Sequence, residues 1–167
     1  KVRGKLNSQA HFTIGILDQA DLIPKSFTTV FTNDVLPEGP QERVYDVNAI
    51  SSFIPHRFPF QYIDSVIYQE DERIIGEKLV SANEHFAKGF LPGLSPFMPN
   101  TMMLEISAQL GCTKLLSEEQ HRGKIGLFLS IESAVIHRPA VPGDLLTFDV
   151  TFLYFKTSMG KAKGDIY

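Results

Sequence analysis

Between Thr101 and Leu116 the chain reads TMMLEISAQLGCTKLL, and apolar side chains run around the whole circumference of the helix that this stretch would form. A helix with no polar face cannot lie on a surface and has to be wrapped by other elements. The pattern predicts one long buried helix over about 100–117, with Asn100 as its N-cap after Pro99. The segments left to wrap it read as strands. KIGLFLSIESAVIH, LLTFDVTFLYF after a VPGD turn, and SMGKAKGDIY follow the helix; RIIGEKLV (Arg73–Val80) precedes it, itself preceded by a strand from about Phe60 to Tyr68 and the charged turn Gln69–Glu72. One buried helix and several long strands predict an α+β fold, an antiparallel sheet curled around that helix.

The rest of the 167 residues sets the organisation. Residues 1–17 read as a strand in which Phe12, Ile14 and Ile16 alternate with Thr13 and Gly15. Residues 18–45, punctuated by Pro24, Pro37, Gly39 and Pro40, read as a linker or surface arm, long for a loop inside one domain. The segment from Asp46 onward carries a proline-bracketed turn, Pro55–Pro59. No apolar run reaches the ~18 residues of a membrane-spanning helix, and the N-terminus lacks an apolar signal core. Sixteen Lys+Arg against 19 Asp+Glu give a net charge of −3, which argues against a nucleic-acid partner. The single cysteine, Cys112, excludes an internal disulfide framework and a cysteine-built metal site, and suits a reducing compartment. The expectation is a soluble cytosolic domain with no metal site and no cofactor.

Three strongly polar side chains interrupt the apolar helix: Glu105, Ser107 and Gln109. Glu105 and Gln109 are four apart and share a face. A carboxylate among apolar side chains must be paired, neutral or facing a cavity, because an ionised and unpaired one costs several kcal/mol. Desolvation would raise its pKa and suit it to general-acid work; a core Glu bonded by backbone or by Gln109 is the other reading. The Pro/Gly-rich loop Lys88–Asn100 ends at the helix start, where free N–H groups and the helix dipole can meet a ligand carbonyl or anion. It is equally an ordinary connector.

Four segments in one order and spacing, IPHRFPFQYIDSV (Ile54–Val66), ANEHFAKGFLPG (Ala82–Gly93), PFMPNTMMLEISAQLGC (Pro96–Cys112) and HRPAVPGDLLTFDV (His137–Val150), resemble the β-hydroxyacyl-acyl-carrier-protein dehydratases, which adopt the hotdog fold. The resemblance runs from about Asp46 to Tyr167. It implies a loop histidine that takes the C2 proton of a 3-hydroxyacyl thioester, a helix glutamate that protonates the departing hydroxyl, and backbone N–H groups that hold the thioester oxygen. On this chain it places the acid at Glu105 and the supporting amide at Gln109. The substrate-binding framework falls on Gly89, Phe90, Pro92, Gly93, Met98, Pro99 and Asn100.

The departures fall in the loop. Phe90 stands where the family has its catalytic histidine, one extra residue lies around Leu94-Ser95, and Asn100 replaces the glycine at the helix start. Phe cannot move a proton, and loss of a general base costs ~10²–10⁴-fold in rate. His85, five residues earlier, is a candidate substitute. His56 belongs to the IPHR turn and reads as structural, His137 as a strand residue, and His11 and His121 as exposed. Cys112 reads as a small packed side chain. Lys156, Lys161, Lys163 and Arg138 fit either an acidic carrier protein or a solvated face.

The family's domain closes with one further strand, which is missing after Tyr167 and resembled by residues 1–17. The chain thus reads as a circularly permuted hotdog, or as a segment of an array one strand out of phase, with residues 1–17 as final strand, 18–45 as linker and 46–167 as the dehydratase-like body. Residues 5–16 are then expected to pair with the strands of 145–167. The resemblance implies action on fatty-acyl or polyketide-type thioesters carried by acyl carrier protein or CoA, in a homodimer, a larger oligomer or a hotdog–hotdog pair. Three activities fit: dehydration to the trans-2-enoyl thioester; an impaired pseudo-dehydratase that binds acyl thioester or pairs with an active homologue; or a thioesterase in which Glu105 directs water.

Overall fold

The structure is a computed structural model and describes residues 8–17, 43–87, 96–156 and 158–167. In chain order these form β1 (Ser8–Leu17), α1 (Val47–Phe53), β2 (Ser65–Glu70), β3 (Arg73–Leu79), α2 (Asn100–Leu116), β4 (Ile125–Ile136), β5 (Leu145–Lys156) and β6 (Met159–Ile166). Short 3-10 turns lie at His85–Ala87 and Glu119–His121. The strands make one sheet, antiparallel at every pairing, in the order β2-β3-β5-β6-β1-β4. α2 packs on that sheet against β1, β3, β4 and β5. This is the expected α+β hotdog arrangement. No helix among the described residues is long and apolar enough to cross a membrane.

β1 is an interior strand. Ser8–Gly15 runs against Ile166–Met159 of β6 on one side, and Ser8–Leu17 against Ile136–Ile125 of β4 on the other. The period of two in its sequence is realised as burial: Ala10, Phe12 and Ile14 are fully buried beneath α2. The N-terminal strand therefore does pair within the 145–167 group, through β6, and β4 closes its far edge. α2 approaches β1 so closely that a Cβ at Gly111 would overlap Ile14 Cδ1 and Ile14 would have to move, so the mid-helix glycine, costly to helix formation, lets Ile14 keep its place. Phe148, Val150, Leu146 and Ile74 complete the core from the other half of the sheet.

Several local expectations are corrected. Pro99, not Asn100, occupies the N-cap of α2; Asn100 is the first helical residue, and the Met102 N–H bonds to the Pro99 carbonyl at 2.9 Å. β2 begins at Ser65 rather than Phe60, because the backbone of residues 60–62 bonds to a helix side chain instead of a strand. α1 was not expected; Asp46 caps it, its Oδ1 accepting from the Ala49 N–H at 2.8 Å. His121 is buried in its 3-10 turn against Phe155, and His11 is half-buried on β1. Burial lowers the pKa of both, helped by Lys124 for His121 and by Lys161 and Lys163 for His11. His137 lies just beyond the end of β4. Of the cations considered for a carrier protein, Lys161 pairs with Glu132, Lys163 with Asp165 at 2.7 Å and Arg138 with Asp144 at 2.9 Å; Lys156 is exposed. The connector 18–45 lies outside the described residues except for its last three.

Candidate active site

The segment Pro55–Tyr62 faces the first turns of α2. That segment is held on both sides. The Gln61 amide donates to the Val47 carbonyl of α1 at 3.1 Å, while its Oε1 accepts from Ser51 Oγ at 2.8 Å. On the other side Gln109, only 1% exposed, uses its whole amide. Its Oε1 accepts from the Tyr62 N–H at 3.1 Å, and its Nε2 donates to the Phe60 carbonyl at 2.7 Å and to Glu105 Oε1 at 2.9 Å. One helix side chain thus supplies the partners that a neighbouring strand would give to residues 60–62, and in the same act anchors the carboxylate one turn earlier.

Between segment and helix lies an open cleft of about 700 Å³, with Thr101, Met102 and Glu105 on the helix side and His56, Arg57 and Tyr62 opposite. Of the outcomes open to a carboxylate in this helix, Glu105 takes two, being paired and facing a cavity: 36% of its side chain is exposed, into this cleft. His56 faces it, Nε2 lying 3.5 Å from Glu105 Oε1. The other ring nitrogen, Nδ1, is buried and has no hydrogen-bond partner among the described residues. Arg57 Nη1 braces the turn by donating to the carbonyls of Ile54 at 2.9 Å and His56 at 2.6 Å. Burial, and then the carboxylates of Glu105 and Glu84, push the Tyr62 phenol up, so it stays a neutral hydrogen-bond donor. Burial pushes the Cys112 thiol up to about 12, which removes it as a nucleophile at neutral pH.

The structure therefore brings Glu105 and Gln109 together and adds His56 from the IPHR turn; nothing local in IPHR signals that the turn folds back onto α2. His85 is elsewhere. Its ring is exposed and lies against Phe58, centroids 5.4 Å apart, and no contact joins it to Glu105 among the described residues. Met98 is fully buried and its N–H bonds to the Ala140 carbonyl at 2.8 Å, which fixes the entry into α2 through Pro99 and the exposed Asn100. Gly89, Phe90, Pro92 and Gly93 lie outside the described residues. Among the described residues no group of three or more His, Cys, Asp or Glu side chains is placed to hold a metal ion.

Residues 54–167 match the family described as a FabA-like domain. The chain is 39% identical over 123 residues to a 3-hydroxyacyl-[acyl-carrier-protein] dehydratase FabZ of Desulforamulus reducens, covering 73% of this chain and 86% of that protein. It is 44% identical over 115 residues to the FabZ of Acetivibrio thermocellus, covering 68% and 78%. The FabZ of Staphylococcus aureus is 40% identical over 121 residues, covering 72% and 82%. Among solved structures, the dehydratase heterocomplex ApeI:P from Xenorhabdus doucetiae aligns over 71% of this chain and 89% of its own at 13% identity, with a TM-score of 0.49.

Proposed function

The chain belongs to the FabA-like, 3-hydroxyacyl-acyl-carrier-protein dehydratase family, and from that premise we propose that it binds 3-hydroxyacyl thioesters in the cleft beside α2 and eliminates water from them. The observation that carries this reading is Glu105, a carboxyl tethered through one oxygen by Gln109 and exposed to an open cleft through the rest of its side chain. In the reaction the C2–H bond breaks, its electron pair becomes the C2=C3 double bond, and the C3–O bond breaks. The departing oxygen takes the proton of Glu105 and leaves as water. N–H groups at the start of α2, ahead of the Met102 N–H that bonds to the Pro99 carbonyl, are suited to the thioester oxygen.

The names of the relatives support an acyl-carrier-protein thioester as substrate; fatty-acid synthesis in the cytosol, in a dimer or larger assembly, is the corresponding setting. The pairing of β1 between β6 and β4 supports reading residues 1–17 as the domain's final strand, joined through 18–45 to the 46–167 body. Phe90 at the family's histidine position favours a second reading, a pseudo-dehydratase that binds acyl thioester without turning it over.

The test is to incubate the protein with a 3-hydroxyacyl-acyl-carrier-protein while following enoyl absorbance and free thiol together. Dehydration predicts enoyl thioester without thiol. Thiol release points instead to a thioesterase. No turnover in the wild type, with turnover appearing in Phe90→His, establishes the pseudo-dehydratase.

A further inference from the structure

We infer that His56 is the group that accepts the C2 proton in this chain, forming with Glu105 a two-residue acid–base pair that does the work of the histidine absent at position 90; this rests on the dehydratase reading above. Of the five histidines, His56 is placed against Glu105 among the described residues. His85 stacks on Phe58, His121 is buried against Phe155, His11 sits on β1 beside Lys161 and Lys163, and His137 follows the end of β4. The approach of His56 also has the right polarity. Nδ1 is sealed in protein, so Nε2, 3.5 Å from Glu105 Oε1, is the nitrogen through which the ring can exchange a proton with the cleft.

The pair is held rather than free to wander. Arg57 ties the turn to the Ile54 and His56 carbonyls, and the N–H groups of Phe60 and Gln61 close it again on the Arg57 carbonyl at 2.7 and 3.1 Å. His56 and Gln109 both approach Oε1 of Glu105, and Oε2 takes no hydrogen bond among the described residues. That oxygen is left for the substrate hydroxyl.

The cycle then balances within the pair. Neutral Nε2 takes the C2 proton, the C2–H electrons become the double bond, and the C3 oxygen leaves with the Glu105 proton as water. The site is left as imidazolium and carboxylate. The 3.5 Å contact lets the proton pass back from Nε2 to Glu105, directly or through one water, restoring both groups with no further reactant. The charged and titratable groups near the pair are Arg57 and Tyr62 on the facing segment, Glu84, which acts on Tyr62, and Cys112 of α2, on which Glu105 acts.

The experiment uses the full chain and a 3-hydroxyacyl-acyl-carrier-protein deuterated at C2, with enoyl formation and loss of C2 deuterium measured separately. In His56→Gln dehydration is expected to fall by ~10²–10⁴-fold, with C2 exchange falling alongside it. In His56→Ala added imidazole is expected to restore part of the rate through the open cleft, a recovery that a folding defect would not show. A His56→Gln rate within a few-fold of wild type, C2 exchange that persists while dehydration is lost, or loss in both variants without imidazole rescue overturns the assignment. A wild-type protein that forms no enoyl product overturns the dehydratase reading itself; an active wild type with an unimpaired His56→Gln overturns only the role of His56.

Discussion

From Ile106 to Leu116 every residue of α2 is buried, whereas among Asn100–Glu105 only Met103 is. Both halves are built from similar letters, and Met102 and Leu104 are as apolar as Leu110 and Leu115. What differs is the cover. The later half is buried, and its two hydroxyls are satisfied within the helix: Ser107 Oγ donates to the Met103 carbonyl at 3.0 Å and Thr113 Oγ1 to the Gln109 carbonyl at 2.8 Å. The earlier half borders the cleft, and its one carboxylate draws its partners from side chains, Gln109 on its own helix and His56 on the facing segment. A single helix thus carries a structural half and a chemical half, and Gln109, bonding in both directions, is the joint between them.

Substitutions can pull the two halves apart. The largest effect is expected at the open end, where Glu105→Gln lowers dehydration by ~10²–10⁴-fold, about 3–5 kcal/mol of barrier, while the urea midpoint stays near that of wild type. Leu110→Ala, at a fully buried site under β3, reverses the pattern. It is expected to cost about 2–5 kcal/mol of stability and, assayed where the protein is still folded, to leave turnover close to wild type. Gln109→Leu should affect both halves. It orphans the Tyr62 N–H and the Phe60 carbonyl, for about 1–3 kcal/mol of stability, and frees Glu105, so kcat falls more than KM rises.

The smallest effect is a pH dependence at the far end of the helix. His121, beside Leu116, and His11 on β1 both have folded pKa values lowered by burial from the ordinary 6.5. The unfolded chain therefore binds more protons in that range, so their contribution to stability is complete above about pH 6.5 and is lost as pH falls below it. Urea midpoints at pH 7.5 and 5.5 should differ in that direction, and His121→Asn should shrink the difference.

The helix, the strands after it and the extended N-terminus were legible because each carries its own period: apolar all round for α2, alternation for β1. Glu105 and Gln109 were legible as a pair because they are one helical turn apart. The remainder depends on contacts distant in sequence. α1 has seven residues and one buried side chain, Ile50, too few for a period to register; the Asp46 cap was its only signal. β2 starts late because Gln109 takes the backbone partners of Phe60 and Tyr62, and nothing in those residues announces it. His56 meets Glu105 only because the braced turn folds back across α2, and His121 is buried by Phe155 from a strand far along the chain. Composition around either histidine predicts neither outcome.

The division of α2 into a structural and a chemical half is tested most directly by hydrogen–deuterium exchange with a 3-hydroxyacyl carrier whose thioester is replaced by a stable amide. Slowed exchange confined to residues 55–62 and the 100–105 end of α2, with 106–116 unchanged, is the predicted result. Binding that leaves those two segments unaltered, or that protects only residues around His121–Lys124, would contradict it.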